Sequence, residues 1–207
     1  MKLFPTRRKV LSYAAAGCLA LGLGVQARAA DEIVIGGSMP MTGVFAFAGI
    51  ALNNAFQDYV KIVNDAGGIN GRKVKYVAED TGYKVDNSVA VFNRITSQEK
   101  VSLYYGDSTA FSKTINAELN RRGDIMLAGA SFASELNDPK NFPNQFIAGP
   151  DYSEMIGILL EYIAKTKPGA KIALVNSDTE FGRDPVTATE KRAGDLGLKI
   201  VAKIATP

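Results

Sequence analysis

The chain has 207 residues, with 24 Lys and Arg against 21 Asp and Glu, a single Cys, and neither His nor Trp. The lack of His excludes Ser/His/Asp and Cys/His catalysis and His-ligated zinc, and one Cys excludes an internal disulfide or a Cys-based zinc site. At 46% hydrophobic and 22% charged the composition is globular, with room for one large domain or two small ones, and the net charge of +3 points weakly to an anionic partner such as nucleic acid.

The positive charge is concentrated at the start. Lys2, Arg7, Arg8, Lys9 and Arg28 all precede the first carboxylate, Asp31. A basic start, an apolar run from Leu11 to Val25 and then Ala27-Arg28-Ala29 has the form of a cleavable export signal over residues 1–29. The apolar run falls short of the roughly 20 residues that span a bilayer, so a permanent anchor is not expected. Thr6-Arg7-Arg8-Lys9-Val10-Leu11 resembles the twin-arginine motif with Val in place of the usual Phe, and the general secretory route is preferred. Ala15-Ala16-Gly17-Cys18 could pass for a lipoprotein site, but the apolar run continues beyond it, so Cys18 is expected to leave with the signal. Removing the five basic residues leaves 19 Lys and Arg against 21 Asp and Glu, a net of −2. A nucleic-acid partner loses its support, and a periplasmic location is expected.

The mature chain alternates strands and helices. Ile33-Val34-Ile35-Gly36 predicts a short buried strand, and Leu52, Phe56, Tyr59, Val60 and Val63 recur at helical spacing over Ala48 to Ala66. Gly67-Gly68 stops that helix and Asn70-Gly71 turns the chain into a strand over Lys73 to Ala78. A helix from Asp86 to Thr96, a strand from Val101 to Tyr105, a helix from Phe111 to Arg122 and a strand from Ile125 to Ala128 follow. Four strands joined by helical crossovers imply a parallel sheet with helices on both faces. Ser131 to Pro150, rich in Pro, Asn and Asp, reads as a long irregular connection. Beyond it come a helix over Tyr152 to Lys165 with Asp151 and Glu154 as a capping pair, a strand over Lys171 to Asn176, a helix over Asp184 to Asp195 and a strand over Leu198 to Ile204. Two strands give a parallel sheet little to pack against, so this second unit is expected to be the start of a lobe in a C-terminally truncated chain.

Several segments in order carry a family resemblance. Met39-Pro40-Met41-Thr42-Gly43 after the first strand, Ala66-Gly67-Gly68-Ile69-Asn70-Gly71-Arg72, Gly106-Asp107-Ser108-Thr109, Ala130-Ser131 and Glu180-Phe181-Gly182 resemble the type I periplasmic substrate-binding proteins of branched-chain amino acid ABC transporters. The resemblance implies an α/β fold, a doubly wound parallel-sheet lobe over residues 30–150 followed by an incomplete second α/β lobe over 151–207. It implies a small-molecule ligand held between lobes, a membrane permease as partner, a monomer, and no cofactor or metal.

It also implies ligand contacts from Ser108 and Thr109 after the third strand and from Ala130 and Ser131 after the fourth, where hydroxyls and helix-start N–H groups receive a carboxylate. Thr42, Phe47, Ala48, Phe132 and Phe181 complete the implied ligand-binding set. Phe132 stands where amino acid binders carry Thr, Ala48 where an aromatic residue is usual, and Phe181 where Tyr is common. Each Phe taken singly is read as core packing. Together, Phe47, Phe132 and Phe181 suggest a cleft suited to flat or apolar ligand surface, so an aromatic carboxylate competes with a branched-chain amino acid as the expected ligand.

Enzyme readings find little. Gly129-Ala130-Ser131-Phe132-Ala133 resembles a nucleophile elbow but lacks its second glycine, and there is no His to activate Ser131. No G-x-G-x-x-G or G-x-x-x-x-G-K-[ST] pattern is present. Glu79, Asp80 and Asp107 are read as capping or solvated carboxylates in preference to metal ligands. The expected role is capture of a solute and its delivery to an importer, with ligand sensing for a membrane receptor as the alternative and a serine hydrolase as a remote second. Hinge closure over the ligand is the implied mechanism, and the 207-residue chain alone is expected to bind weakly.

Overall fold

A computed structural model describes residues 31–206. The export signal expected over residues 1–29, with Cys18, lies outside the described residues.

The first part of the chain runs β1 (Ile33–Met39), α1 (Ala46–Asp65), β2 (Val74–Asp80), α2 (Val85–Gln98), β3 (Val101–Gly106), α3 (Thr109–Thr114), α4 (Asn116–Arg122), β4 (Met126–Gly129) and β5 (Gln145–Phe146). These strands form one parallel sheet in the order β2-β1-β3-β4-β5. The second part runs α5 (Tyr152–Thr166), β6 (Lys171–Ser177), α6 (Glu180–Arg183), α7 (Val186–Asp195) and β7 (Lys199–Thr206), with β6 and β7 paired in parallel as a separate two-stranded sheet. This is the type I periplasmic binding protein arrangement, an α/β lobe followed by a separate two-stranded sheet.

Several elements differ from the sequence reading, among them a short helix over Glu180–Arg183 that was not expected, ahead of a helix that starts at Val186 and not at Asp184. β1 extends past Gly36, where the Gly-, Pro- and Met-rich segment up to Gly49 reads as a loop, because Ser38 and Met39 continue the ladder opposite Glu79 and Asp80 and are fully buried. The single helix expected from Phe111 to Arg122 is divided at Ile115. The irregular connection holds a fifth strand, two residues long and so too short to show alternation; the Gln145 amide anchors it by donating to the Ser112 carbonyl at 2.9 Å.

Local chemistry explains the remaining boundaries. α1 ends where Gly67 and Gly68 adopt φ of +105° and +81°, a region that costs glycine little. Asn64 in its last turn then clamps the start of β2, accepting from the Val74 N–H and donating to the Val74 carbonyl, both at 2.8 Å. α5 opens with a full capping box, in which Asp151 accepts from the Glu154 N–H at 2.9 Å and Glu154 accepts from the Asp151 N–H at 3.0 Å.

The core of the first part lies between the sheet and α2 to α4. Phe92, Tyr104 and Phe111 are fully buried, with Phe92 and Tyr104 edge to face at 4.9 Å. Each such side chain contributes about 1.5–3 kcal/mol on burial. The Tyr104 hydroxyl is not left orphaned, because it shares a 2.7 Å hydrogen bond with Ser38. A smaller core of Leu160, Ala193 and Leu198 joins α5 and α7 to the second sheet.

Candidate ligand-binding site

In an open parallel sheet, ligands bind beyond the carboxyl ends of the strands where the strand order reverses. Here the order reverses between β1 and β3. A cavity of about 170 Å³ opens at that point, lined by Pro40 after β1, Tyr105 to Thr109 at the end of β3 apart from Gly106, and Ala130 after β4. The start of α1 contributes Ala48, Gly49 and Leu52, and the chain just before it contributes Phe45. Tyr83, Tyr152 and Phe181 close the remaining sides. A void of roughly 150 Å³ holds benzene, so this one has room for a ring or a branched side chain.

Gly49 makes the approach of α1 possible. A Cβ there would sit 2.2 Å from the Pro40 carbonyl oxygen, so only glycine lets the helix pack against the loop after β1. That loop is itself fixed by Asp80, which accepts from the N–H groups of Met41, Thr42 and Gly82 at 2.8, 3.0 and 3.1 Å and from the Thr42 hydroxyl at 2.6 Å. Partial burial works against the charge on Asp80, but these donors outweigh it and hold the carboxyl below its ordinary pKa.

Aromatic rings form most of the wall. Phe45 lies 4.2 Å from Tyr83 and 6.4 Å from Phe181, and Tyr152 meets Phe181 edge to face at 5.1 Å. Burial pushes the Tyr83 phenol up to about 12, helped by Tyr152 and Asp107; burial and then Asp107 and Tyr152 do the same to Tyr105, also to about 12. Both stay neutral hydrogen-bonding groups throughout the physiological range.

The polar end is built from hydroxyls. Asp107, buried, accepts from Ser88 at 2.8 Å, from Ser108 at 3.0 Å and from Thr81. Ser108 caps α3 by accepting from the Phe111 N–H at 3.1 Å, so its hydroxyl is engaged on both sides. Thr109 shares a 2.8 Å bond with Ser131, whose oxygen also accepts from the Ala133 N–H. That bond uses one of the two hydroxyl protons and leaves the other available.

Of the residues singled out in the sequence, Ala48, Ser108, Thr109, Ala130 and Phe181 line the cavity, and Ser131 stands behind it through Thr109. Thr42 is outside the lining, its hydroxyl spent on Asp80. Phe47, two residues on from Phe45 and inside the first turn of α1, is 77% exposed and also outside the lining. Phe132 packs at 6.1 Å from the Tyr152 ring instead of facing the cavity. The wall therefore contains only one of the three phenylalanines expected. Phe45, Tyr83, Tyr105 and Tyr152 join the wall with no sequence signal, since nothing in the chain order marks which loop aromatics converge, and Asp107, read as a capping or solvated carboxylate, is buried and lines the cavity too. Among the described residues, no group of three or more His, Cys, Asp or Glu is placed to hold a metal, and no helix is long and apolar enough to cross a membrane.

Residues 32–207 match the family of periplasmic binding proteins. The chain belongs to that family. An amino acid binding protein of Pseudomonas aeruginosa is 27% identical over 191 residues, covering 89% of this chain and 50% of that protein. A Leu/Ile/Val-binding protein homolog of Brucella melitensis is 24% identical over 192 residues, covering 93% of this chain and 51% of that protein. Among solved structures, a branched-chain amino acid ABC transporter protein of Thermus thermophilus with bound valine superposes with a TM-score of 0.79 at 30% identity, covering 86% of this chain and 46% of that one. The chain thus spans about half the length of the relatives it matches. Periplasmic binding proteins are substrate-binding proteins and not enzymes, and the family is extracytoplasmic.

Proposed function

We propose that the chain is the ligand-capturing part of the solute-binding component of an ABC importer, taking an amino acid or related small carboxylate and presenting it to a membrane permease. The observation that carries this reading is the cavity at the strand-order reversal, walled by aromatic rings and ended by Thr109 at the start of α3, with the Ser131 hydroxyl bonded to Thr109 behind it. The first N–H groups of a helix have no partner within it, and these favour an anionic group beside Thr109. Residues 30–150 form the first lobe in this reading and 151–207 begin the second, and the protein acts as an exported monomer.

Contacts between the two parts fit a closing cleft. Asp184 ahead of α7 accepts from the Ser134 N–H at 3.1 Å and the Ser134 hydroxyl at 2.9 Å, and Lys113 on α3 pairs with Glu180 at 3.0 Å and with Glu135. The relatives' names supply the ligand class tested first: leucine, isoleucine and valine, with benzoate as the aromatic alternative. Saturation-transfer NMR on the chain reads binding into the range of about 1 mM, which suits the weak binding expected of this length. Saturable binding of any of the four supports the reading. Binding of none, or ester turnover that Ser131→Ala abolishes, would overturn it.

A further inference from the structure

Among the described residues lining the cavity, the only charged side chain is an acid. Asp107 is 3% exposed, and no Lys or Arg joins it there. The hydroxyls of Thr81, Ser88 and Ser108 donate to its oxygens. The same cavity is lined by five aromatic rings, from Phe45, Tyr83, Tyr105, Tyr152 and Phe181. Ring faces attract a cation, most strongly where water is displaced, and a buried carboxylate acts through a low local dielectric. The same field opposes a bare anion, and the start of α3 must offset it before a carboxylate can settle beside Thr109.

We propose that Asp107 sets the charge selectivity of this site: of the two charged ends of an amino acid, the ammonium is the one this part of the chain requires. Building on the solute-binding reading above, this narrows its ligand class to zwitterions and amines and removes simple carboxylic acids. Asp107 acts as a specificity residue through charge, since its own oxygens are already engaged by hydroxyls.

Three matched probes test it on the unmodified chain: leucine, 3-methylbutylamine, which lacks the carboxylate, and 4-methylpentanoate, which lacks the amine. Leucine and the amine are expected to bind at least tenfold more tightly than the acid. In Asp107→Asn that preference should collapse, with leucine weakened about tenfold and the acid unchanged or tighter. Equal binding of acid and amine to the unmodified chain overturns the inference, and so does an unaltered preference in a folded Asp107→Asn. If that variant does not fold, the three-probe comparison decides alone. A chain that binds 4-methylpentanoate but neither amine-bearing probe keeps the solute-binding reading and loses this one. A chain that binds no probe loses both.

Discussion

Thr109 and Ser131, which follow neighbouring strands β3 and β4, join their hydroxyls across 2.8 Å while each is almost fully buried. Because Thr109 also lines the cavity, Thr109→Val keeps the shape and removes the hydroxyl. We expect a loss of about 1–2 kcal/mol in stability from the lost Thr109–Ser131 bond, the Ser131 oxygen keeping only the Ala133 N–H. Ligand binding should weaken by roughly tenfold or more, as befits a lost hydrogen bond to a charged group. Denaturant melts and NMR titration on the same sample separate the two effects.

Asp80 fixes the loop that borders the cavity, and its pKa lies below the ordinary 3.8. The stabilisation from a depressed carboxyl is complete above its unfolded value and fades as pH falls through the folded one. Stability should therefore drop below about pH 4, and Asp80→Asn should flatten that acid limb. The residue is exposed, so its share at neutral pH is small. Denaturation midpoints measured from pH 2 to pH 6 give the comparison.

Asp184 ties the second part of the chain to Ser134. Asp184→Asn keeps the volume but removes the charge that draws both Ser134 donors. A local loss of about 1–2 kcal/mol is expected, seen as faster hydrogen exchange across α6 with little change across β1 to β4. Lys113→Met should act in the same direction and fade as salt is raised, because its partners Glu135 and Glu180 are partly exposed.

Gly49→Val would force the start of α1 away from the Pro40 carbonyl. Overpacking of this kind costs about 1–3 kcal/mol. The variant should lose ligand binding along with stability, whereas Gly157→Ala, at a site with open space around the glycine, should lose neither.

The alternation of strands and helices was legible because long periodic elements state their own type. α1, with its glycine stop, and α5, with Asp151 and Glu154, needed only local chemistry. β5 was hidden because two residues have no period, and the end of β1 was hidden because the Gly-, Pro- and Met-rich segment after Gly36 reads as a loop until the neighbouring ladder is seen. The polar half of the site was visible in Ser108 and Thr109, which follow directly on a strand. The aromatic half was not. Phe45, Tyr83, Tyr105 and Tyr152 come from four separate segments, and only the folded sheet shows that Phe45 faces the cavity while Phe47 faces water.

The ring-lined cavity also makes the protein its own optical probe. The chain has eight Tyr and no Trp, so tyrosine emission is not masked. Three of those phenols, Tyr83, Tyr105 and Tyr152, border the cavity. A bound solute alters their surroundings directly, and intrinsic tyrosine fluorescence can follow occupancy without a label or an added chromophore.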